Sequence, residues 1–428
     1  ARLASMGVTT LYLNPIFESA SNHRYNTANY GRIDPLLGTE EDFRTLCRTA
    51  HELGMHVILD GVFNHTGSLS RYFNGDGSYE SVGAVQSQDS PYYPWYHFSH
   101  WPDKYDSWWG IRTLPAVREE STSYQAYIID DEDAIIRRWL RCGADGWRLD
   151  VADELPDWFI EKLRTAVEET KPDALLIGEV WEDASNKIAY SQRRRYLLGS
   201  ELHGVMNYPF RTALLNYLKG GDADVFRDSM ESVRENYPPA AFYHSMNFLG
   251  THDTPRIMTV LGAAHVPESK DARAAYRLSP AERARGTALV KLAALILFPF
   301  PGSPTIYYGD ELGLEGFEDP FNRRTCPWGR EDGELLEWYT ALGKARRALP
   351  ALRRGELAWT LTRGRVLSFL RTGAEGSVLA AVNAGERPEP IDLPWPARDW
   401  MTGAALEQGE QTLPPMTGWL LTPRPEGA

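Results

Sequence analysis

Cysteine is scarce in this sequence, and the few cysteines form no pattern. Cys47, Cys142 and Cys326 are the only three among 428 residues. An odd, scattered set argues against a disulfide framework, and the spacing does not match that of metal ligands. We therefore interpret all three as reduced thiols, which favours a cytoplasmic location.

The sequence also lacks long apolar runs and an excess of positive charge. No stretch reaches the roughly 18 apolar residues that a membrane span requires. With 45 Lys and Arg against 58 Asp and Glu, the net charge is -13, so binding a nucleic acid would need a local basic patch. The short run 193–195 is better explained as solvated surface. We expect neither a membrane nor a nucleic acid as partner.

Short apolar segments alternate with amphipathic ones along most of the chain. The composition, 43% hydrophobic and 24% charged, is typical of a globular protein with an ample core. The pattern predicts strands at 8–13, 56–60, 145–150, 174–179, 245–250 and 305–308, and helices at 40–53, 131–142, 156–169 and 281–297. Parallel strands with helical crossovers over this length predict an α/β protein of the (β/α)8 barrel type, with a doubly wound sheet as the alternative.

Two regions depart from this alternation. Residues 66–129 are rich in Gly, Ser, Tyr, Trp and Pro, and we interpret them as a subdomain inserted after the third strand. From 351 to 428 short alternating strands appear, at 366–370, 378–382 and 418–421, which predict an antiparallel β domain. The barrel would then comprise 1–65 and 130–350. Residues 1–7 resemble the end of a helix, so we expect the first barrel strand to be missing from the chain as given.

One predicted strand carries charge inside an apolar pattern. Residues 147, 149 and 151 are apolar and suit a buried face, whereas Arg148 and Asp150 point together to the other face. Charged side chains are rarely buried unless they are paired. A structural ion pair inside a barrel explains these two residues equally well when they are taken alone.

Charged residues also follow the other predicted strands, where barrel enzymes place their chemistry. The candidates are Asp60, Asn64, His65, Arg148, Asp150, Glu179, His252 and Asp253. Two carboxyl groups about 5 Å apart are the apparatus of a retaining glycosidase. Arg148 would hold Asp150 ionised, whereas Glu179, flanked by apolar residues and close to anions, should keep its proton. A cap, an ion pair or a core hydrogen bond explains each position alone, but not the whole set.

Four ordered blocks carry a family resemblance. They are DGVFNH at 60–65, GWRLD at 146–150, GEVW at 178–181 and GTHDT at 250–254. Together they resemble the signature blocks of the α-amylase family of glycoside hydrolases, and further likeness at 7–15 and 302–311 extends this over nearly the whole chain. SNHRYNT at 21–27 and DPFNRR at 319–324 are most similar to the neopullulanase, cyclomaltodextrinase and maltogenic amylase branch.

The resemblance implies a role for each matching residue. Asp150 would be the nucleophile that forms a covalent glycosyl-enzyme, Glu179 the acid and then the base, and Asp253 the acid that stabilises the distorted sugar. The implied substrate-binding residues are Tyr25, His65, Arg148, Trp181, His252, Asp319 and Arg323. The implied activity is hydrolysis of α-1,4 links in maltooligosaccharides, starch, pullulan or cyclodextrins.

Several departures bear on specificity and on metal binding. Asp153 and Arg118 stand where the branch commonly has asparagine. Glu154 occupies the region of a histidine that, with the asparagine matched by Asn64, helps many α-amylases to hold calcium. We therefore expect no required cofactor and no metal ligand. Residues 74–77 are better explained as a glycine-rich turn than as a cation site.

Two alternatives stay open. A glucan transferase or isomerase of the same family would share Asp150, Glu179 and Asp253. A non-catalytic barrel used for binding would be expected to have lost these acids, and none is lost. In each case the implied partner is an α-glucan oligosaccharide or polysaccharide.

Overall fold

Parallel strands connected by helices make up the first part of the structure. The computed structural model describes residues 1–424 of the chain. Its largest parallel sheet has five strands, in the order Thr10–Leu13, His56–Gly61, Gly146–Leu149, Leu175–Gly178 and Gly204–Val205. Parallel strands are normally covered on both faces, and in His56–Gly61 every residue after the first is buried.

The chain folds into two compact units. Apart from Ala1, the first unit consists of Val8–Val180 and Ala184–Val205. The second consists of Arg2–Gly7, Trp181–Asp183 and the residues from Met206 onward. The five-stranded parallel sheet belongs to the first unit.

Short elements complete the first unit. Its α-helices are Glu40–Glu52, Thr122–Gln125, Ile135–Arg141 and Asp157–Thr170, with a π-helical turn at Ala126–Asp130 and 3₁₀ turns at Tyr93–Trp95, Trp108–Gly110 and Ala152–Glu154. Three antiparallel pairs join Phe17–Ser19 to Thr27–Ile33, Phe98–His100 to Lys104–Tyr105, and Ile188–Ala189 to Gln192–Arg193.

The helix Glu40–Glu52 illustrates why these segments are helical. The Thr39 hydroxyl accepts a hydrogen bond from the Asp42 backbone N–H, and the Asp42 carboxylate accepts one from the Thr39 backbone N–H. This capping box satisfies donors that a helix otherwise leaves unpaired. The buried face of the helix carries Phe43, Cys47 and Ala50, at helical spacing.

Several aromatic residues of the region 66–129 form a core. Tyr72, Trp95 and Tyr124 are buried, and the rings of Tyr72 and Trp95 lie 5.0 Å apart. Trp95 and Tyr124 meet edge to face at 5.1 Å, and the Tyr72 hydroxyl accepts a hydrogen bond from the Tyr30 backbone N–H. These rings therefore hold the region to the rest of the first unit.

In the second unit the helices come first along the chain, and the antiparallel strands follow them. Its α-helices are Arg2–Ser5, Tyr208–Leu218, Ala223–Asn236, Pro239–His244, Ile257–Gly262, Lys270–Ala275, Pro280–Leu297, Gly333–Ala348 and Ala351–Arg354, with 3₁₀ turns at Asp310–Leu312 and Phe321–Arg323. Between these helices, Met246–Phe248 pairs in parallel with Ser303–Thr305.

An antiparallel sheet follows these helices, as the sequence predicts. Its six strands have the order Glu356–Arg363, Val366–Gly373, Gly376–Asn383, Thr417–Pro423, Ala397–Asp399 and Ala405–Leu406, and a separate pair joins Glu389–Leu393 to Gly409–Leu413. One cluster of buried side chains in this region consists of Val366, Leu379, Ala381, Ile391, Leu393, Ala397, Leu413 and Leu421. Alternation of apolar and polar residues therefore predicts this part of the fold well.

Other predicted elements are confirmed with small shifts, and one strand is displaced. The strand predicted at 305–308 lies at Ser303–Thr305, because pairing with Met246–Phe248 sets its register. Residues 306–308 turn instead, and the Arg256 guanidinium lies 4.0 Å and 4.5 Å from the ring centres of Tyr307 and Tyr308. The helix predicted at 131–142 begins only at Ile135, after the π-helical turn.

The sequence analysis missed the helices between 206 and 244. Asn207 caps the helix Tyr208–Leu218 by accepting from the Phe210 backbone N–H, and Asp222 caps Ala223–Asn236 in the same way through the Asp224 N–H. These capping residues are a sequence signal that would have indicated both helices.

The described residues contain free cysteines and no helix suited to span a membrane. Cys47, Cys142 and Cys326 are free thiols, and the first two are buried. No helix within 1–424 is both long and apolar enough to cross a membrane.

The strand Gly146–Leu149 approaches its neighbour very closely at its first residue. A Cβ atom at position 146 would lie 2.4 Å from the Leu175 carbonyl oxygen and 2.9 Å from the Leu175 nitrogen. Both are backbone atoms of the paired strand, so they cannot move aside without breaking the sheet. Glycine at position 146 therefore permits the register between Gly146–Leu149 and Leu175–Gly178. In this register Leu149 pairs with Gly178 at the carboxyl ends of the two strands.

We expect Gly146→Ala to lower the free energy of unfolding by about 2 kcal/mol, because the added methyl group overpacks the strand pair. Urea denaturation with circular dichroism measures this change. Gly333→Ala is the matched control, since a Cβ there would have no atom within 4 Å. Equal stability of the two variants would contradict the close approach.

Candidate active site

The register of the parallel sheet brings three charged strand ends side by side. Asp60 pairs with Arg148 across the first two of these strands. Leu149 pairs with Gly178 across the next two, so Asp150 and Glu179 follow directly at neighbouring strand ends. Because the strands are parallel, their carboxyl ends meet at one edge, where barrel enzymes carry their active sites.

The Arg148 guanidinium binds all three carboxyl groups. Nη1 lies 2.8 Å from Asp60 Oδ1 and 2.8 Å from Asp150 Oδ1, and Nη2 lies 2.7 Å from Glu179 Oε2. The arginine is only 1% exposed, so the interaction is poorly screened by water. The planar guanidinium has several donors in fixed directions, which suits it to hold several carboxylates at once.

The pKa of Asp150 depends on its burial and on the other carboxyl groups that share Arg148. Burial raises the pKa of Asp150 well above its usual range, Arg148 opposes this rise, and the charges of Glu179 and Asp60 add to it. Arg148 therefore favours the ionised form of Asp150, as the sequence predicts, but burial outweighs this effect. The same guanidinium contacts both residues, so Arg148 does not separate their roles.

Asp60 is fully buried and is held by two tyrosines as well as by Arg148. The Tyr12 hydroxyl donates to Asp60 Oδ2 at 2.6 Å, and the Tyr25 hydroxyl donates to the same oxygen at 2.8 Å. These hydrogen bonds hold the Asp60 carboxylate in place. Asp60 in turn positions Arg148. The sequence analysis noted Asp60 only as a strand-end acid and missed Tyr12, whose position in the block at 7–15 was the available signal.

The backbone turns sharply after Asp150. Val151 has φ +38° and ψ 58°, a left-handed conformation that a β-branched residue rarely adopts. Its N–H donates to Glu179 Oε2 at 2.9 Å, and the Ala152 N–H donates to the Glu179 carbonyl oxygen at 3.2 Å. The strained residue therefore connects the two neighbouring strand ends, a placement typical of functional sites.

His65 lies beside this group as a neutral ring. Its Nε2 is 3.1 Å from the Tyr25 carbonyl oxygen, and its ring stacks on Trp108 with centres 5.5 Å apart. Burial lowers the pKa of His65 to about 4. The imidazole is therefore uncharged at neutral pH.

A second set of predicted residues lies in the second unit. His252 Nε2 is 3.0 Å from Asp253 Oδ2, and Arg323 Nη2 is 3.6 Å from Asp253 Oδ1 and 3.3 Å from Asp319 Oδ2. The buried Asn322 side chain donates to the carbonyl oxygen of His252 at 2.6 Å. The structure thus groups His252, Asp253, Asp319 and Arg323, and the sequence analysis missed Asn322, which holds the backbone of this group.

Trp181, another predicted substrate-binding residue, is half exposed. Its ring stacks on that of Tyr208 with centres 4.6 Å apart and planes 12° from parallel. Tyr208 therefore orients an indole that keeps much of its surface open.

The residues that could hold calcium do not form an evident site. Asn64 is buried and its Oδ1 accepts no hydrogen bond from the described residues. Glu154, however, accepts a hydrogen bond from Trp109 Nε1 at 3.1 Å and another from the Tyr190 hydroxyl. Within 1–424 no group of three or more His, Cys, Asp or Glu side chains could hold a metal ion. The expected absence of a metal stays a prediction, and no step below depends on one.

Asn74 has a structural function in the turn at 74–77. It is buried, and its side-chain nitrogen donates to the carbonyl oxygens of Tyr79 and Ser81 and to Gln86 Oε1. These bonds, together with its positive φ of 55°, explain the asparagine without a bound cation.

Comparison with known proteins agrees with this arrangement. Residues 2–347 match the family model described as alpha amylase, catalytic domain. The chain is 39% identical to an amylopullulanase of Thermoanaerobacter thermohydrosulfuricus over 403 residues, 86% of this chain and 26% of that protein. It is 32% identical to neopullulanase 2 of Thermoactinomyces vulgaris over 444 residues, 98% of this chain and 68% of that protein. The debranching enzyme of Nostoc punctiforme has a similar structure, with a TM-score of 0.82, 29% identity and coverage of 98% of this chain and 87% of that one.

The parallel strands with acids at their carboxyl ends define a barrel enzyme of the glycoside hydrolase class. More narrowly, the chain belongs to the alpha-amylase family. The predicted class of fold, a (β/α)8 barrel with a C-terminal antiparallel sheet, is that of this family and is confirmed. The chain spans 26%, 29% and 20% of the length of three amylopullulanases that it matches, so it corresponds to a part of those proteins.

The neutral state of His65 predicts a pH dependence of stability. Because folding lowers its pKa from 6.5 to about 4, the folded state binds fewer protons than the unfolded state between these values. Stability should therefore fall as the pH drops below 6.5, by about 2 to 3 kcal/mol at pH 4.5 from this group alone.

His65→Gln should remove this part of the pH dependence. The measurement is the free energy of unfolding of both proteins from pH 7 to pH 4.5, and His100→Gln, at an exposed position, is the control. If the His65 variant and the wild type lose stability in parallel, the assignment of a low pKa is wrong.

Proposed function

We propose that the chain acts as a retaining α-glucan hydrolase that cleaves α-1,4-glucosidic bonds through a covalent glycosyl-enzyme. The observation that carries this proposal is the pairing of Asp150 and Glu179 with two nitrogens of one guanidinium, at 2.8 Å and 2.7 Å. Such sharing favours the short separation of about 5 Å between carboxyl groups that a retaining mechanism requires. An inverting enzyme needs a wider gap, because a water molecule must fit beside the sugar.

In the first step Asp150 attacks the anomeric carbon. A bond forms between that carbon and a carboxylate oxygen of Asp150, while the bond from the carbon to the glycosidic oxygen breaks. Glu179 donates its proton to the departing oxygen. In the second step Glu179 takes a proton from water, whose oxygen attacks the anomeric carbon and releases Asp150.

Arg148 would balance charge through both steps. Three carboxyl groups share this one buried cation, so the free site favours keeping at least one of them protonated. The proposed mechanism requires a proton on Glu179 when the substrate is bound, because only a protonated acid can assist the leaving oxygen. Burial raises the pKa of Asp60, and the hydrogen bonds from Arg148 and the two tyrosines oppose this rise. These bonds suit Asp60 to position the arginine.

The other roles follow from the family resemblance. Asp253 is the third acid, which binds the hydroxyl groups of the reacting sugar and stabilises its distortion. Tyr25, His65, Arg148 and His252 surround that sugar; Trp181 contacts the glucose on the leaving-group side, and Asp319 and Arg323 contact the glucose on the other side. The apolar face of a pyranose suits the ring of Tyr25, and the neutral imidazole of His65 suits a hydrogen bond to a hydroxyl group.

Maltooligosaccharides, starch, pullulan and cyclodextrins are the proposed substrates. The names of the relatives support this range, because they include amylopullulanases, cyclomaltodextrinases and neopullulanase 2. We further propose that 1–65 and 130–350 form the catalytic barrel, 66–129 a subdomain inserted in it and 351–428 the C-terminal domain. No cofactor takes part in the proposed chemistry, and the three free thiols favour a cytoplasmic setting.

A glucan transferase or isomerase is the second candidate, since it would use the same three acids. The covalent intermediate can pass its sugar to water or to another sugar, so the acceptor decides between them. Product analysis from pullulan, starch and β-cyclodextrin, with and without excess glucose as acceptor, separates the two candidates. Shorter glucans as the main products in both conditions support the hydrolase.

Asp150→Asn tests the chemistry directly. We expect kcat to fall by more than about a thousand-fold, because the amide cannot form the covalent intermediate, while binding of maltoheptaose stays close to that of the wild type. Asp173→Asn, an exposed aspartate that precedes the strand Leu175–Gly178, is the control. Turnover near the wild-type rate in Asp150→Asn would mean that the nucleophile is misassigned.

A further inference from the structure

Three aromatic rings run from the candidate site to the surface of the first unit. His65 stacks on Trp108 with centres 5.5 Å apart, and Trp108 stacks on Trp109 with centres 4.9 Å apart and planes 18° from parallel. His65 is buried, whereas Trp109 is 78% exposed. The stack therefore connects the environment of the catalytic carboxyl groups with an open aromatic face.

The exposure of Trp109 needs an explanation. Its backbone has φ +50° and ψ 27°, a left-handed conformation that is unfavourable for a non-glycine residue. A large indole held in solvent by an unfavourable backbone does not serve the core of the fold. Several other aromatic rings of 66–129, such as Tyr72, Trp95 and Tyr124, do serve that core.

A second exposed ring is attached to the same support. Trp109 Nε1 donates to Glu154 Oε1 at 3.1 Å, and the Tyr190 hydroxyl donates to Glu154 Oε2. Tyr190 is 72% exposed and also has a left-handed backbone, with φ +50°. One carboxylate therefore holds two largely exposed rings that come from segments about 80 residues apart.

We propose that Trp109 and Tyr190, joined by Glu154, form an aromatic platform that binds glucose units of an α-glucan beyond the sugar at Asp150 and Glu179. This inference rests on the proposed function for the identity of the ligand. A glucan suits the platform because each pyranose has an apolar face for stacking and because the stack is continuous with His65, which is proposed to contact the reacting sugar. The platform would make long oligosaccharides better substrates than short ones.

The test compares a short and a long substrate. The ratio of kcat/KM for maltoheptaose to that for maltotriose should fall about ten-fold in Trp109→Ala, which corresponds to the loss of an aromatic contact of about 1.4 kcal/mol. Activity on maltotriose should stay near that of the wild type. Trp109→Phe should keep most of the ratio, because it retains a stacking face.

Trp400→Ala provides the matched control. Trp400 is also partly exposed and also makes one indole hydrogen bond, to the Ala341 carbonyl oxygen, but it belongs to the antiparallel sheet region of the second unit. Its loss should leave the ratio unchanged. An unchanged ratio in Trp109→Ala, or an equal fall in both alanine variants, would overturn the platform.

Glu154→Ala tests the support separately from the rings. If Glu154 acts by positioning Trp109 and Tyr190, its loss should raise KM for maltoheptaose and leave kcat for both substrates close to the wild type. A fall in kcat on maltotriose would instead place Glu154 in the chemistry and contradict a purely positioning role.

Calorimetry separates failure of the platform from failure of the proposed function. Maltoheptaose is titrated into Asp150→Asn and into the double variant Asp150→Asn/Trp109→Ala. If the wild type hydrolyses neither substrate, the hydrolase proposal fails, and about ten-fold weaker binding by the double variant still supports the platform. Equal binding by the two proteins overturns it whatever the activity.

Discussion

The structure of the site depends on one buried guanidinium. Arg148 has almost no contact with water and is held by three carboxyl groups, Asp60, Asp150 and Glu179. A buried cation without such partners would be strongly destabilising, and so would three buried carboxylates without a cation. Each member of this group therefore requires the others, and the register of the parallel sheet is what brings them together.

Features around this group protect its geometry in different ways. Tyr12 and Tyr25 hold Asp60, the left-handed Val151 ties the segment after Asp150 to Glu179, and Gly146 lets two strands approach without a steric clash. None of these residues needs to react with a substrate. They restrict the motion of the carboxyl groups and of Arg148, and in the proposed mechanism this rigidity would lower the cost of reaching the transition state.

Aromatic residues serve two physical purposes in the first unit. Several rings of 66–129, among them Tyr72, Trp95 and Tyr124, are buried and stabilise the region through packed area. Trp109 and Tyr190 differ, because hydrogen bonds to Glu154 orient them while their faces stay open. The composition of 66–129 does not distinguish these two purposes, because composition does not report exposure. Glu154 was noted only as a departure from the family, and its hydrogen bonds give that departure a structural meaning.

The sequence by itself determined the class of fold, the strand-end acids and the family, because alternation of apolar residues and short ordered motifs are local properties of the chain. It also indicated the pairing of Arg148 with Asp150, which are two residues apart on one strand. Only the tertiary structure decided that Arg148 also binds Asp60 and Glu179, that Tyr12 and Asn322 support the two groups of site residues, and that Trp109 is open while Trp95 is buried. These facts depend on strand register and side-chain packing between segments far apart in the chain, which no local pattern specifies.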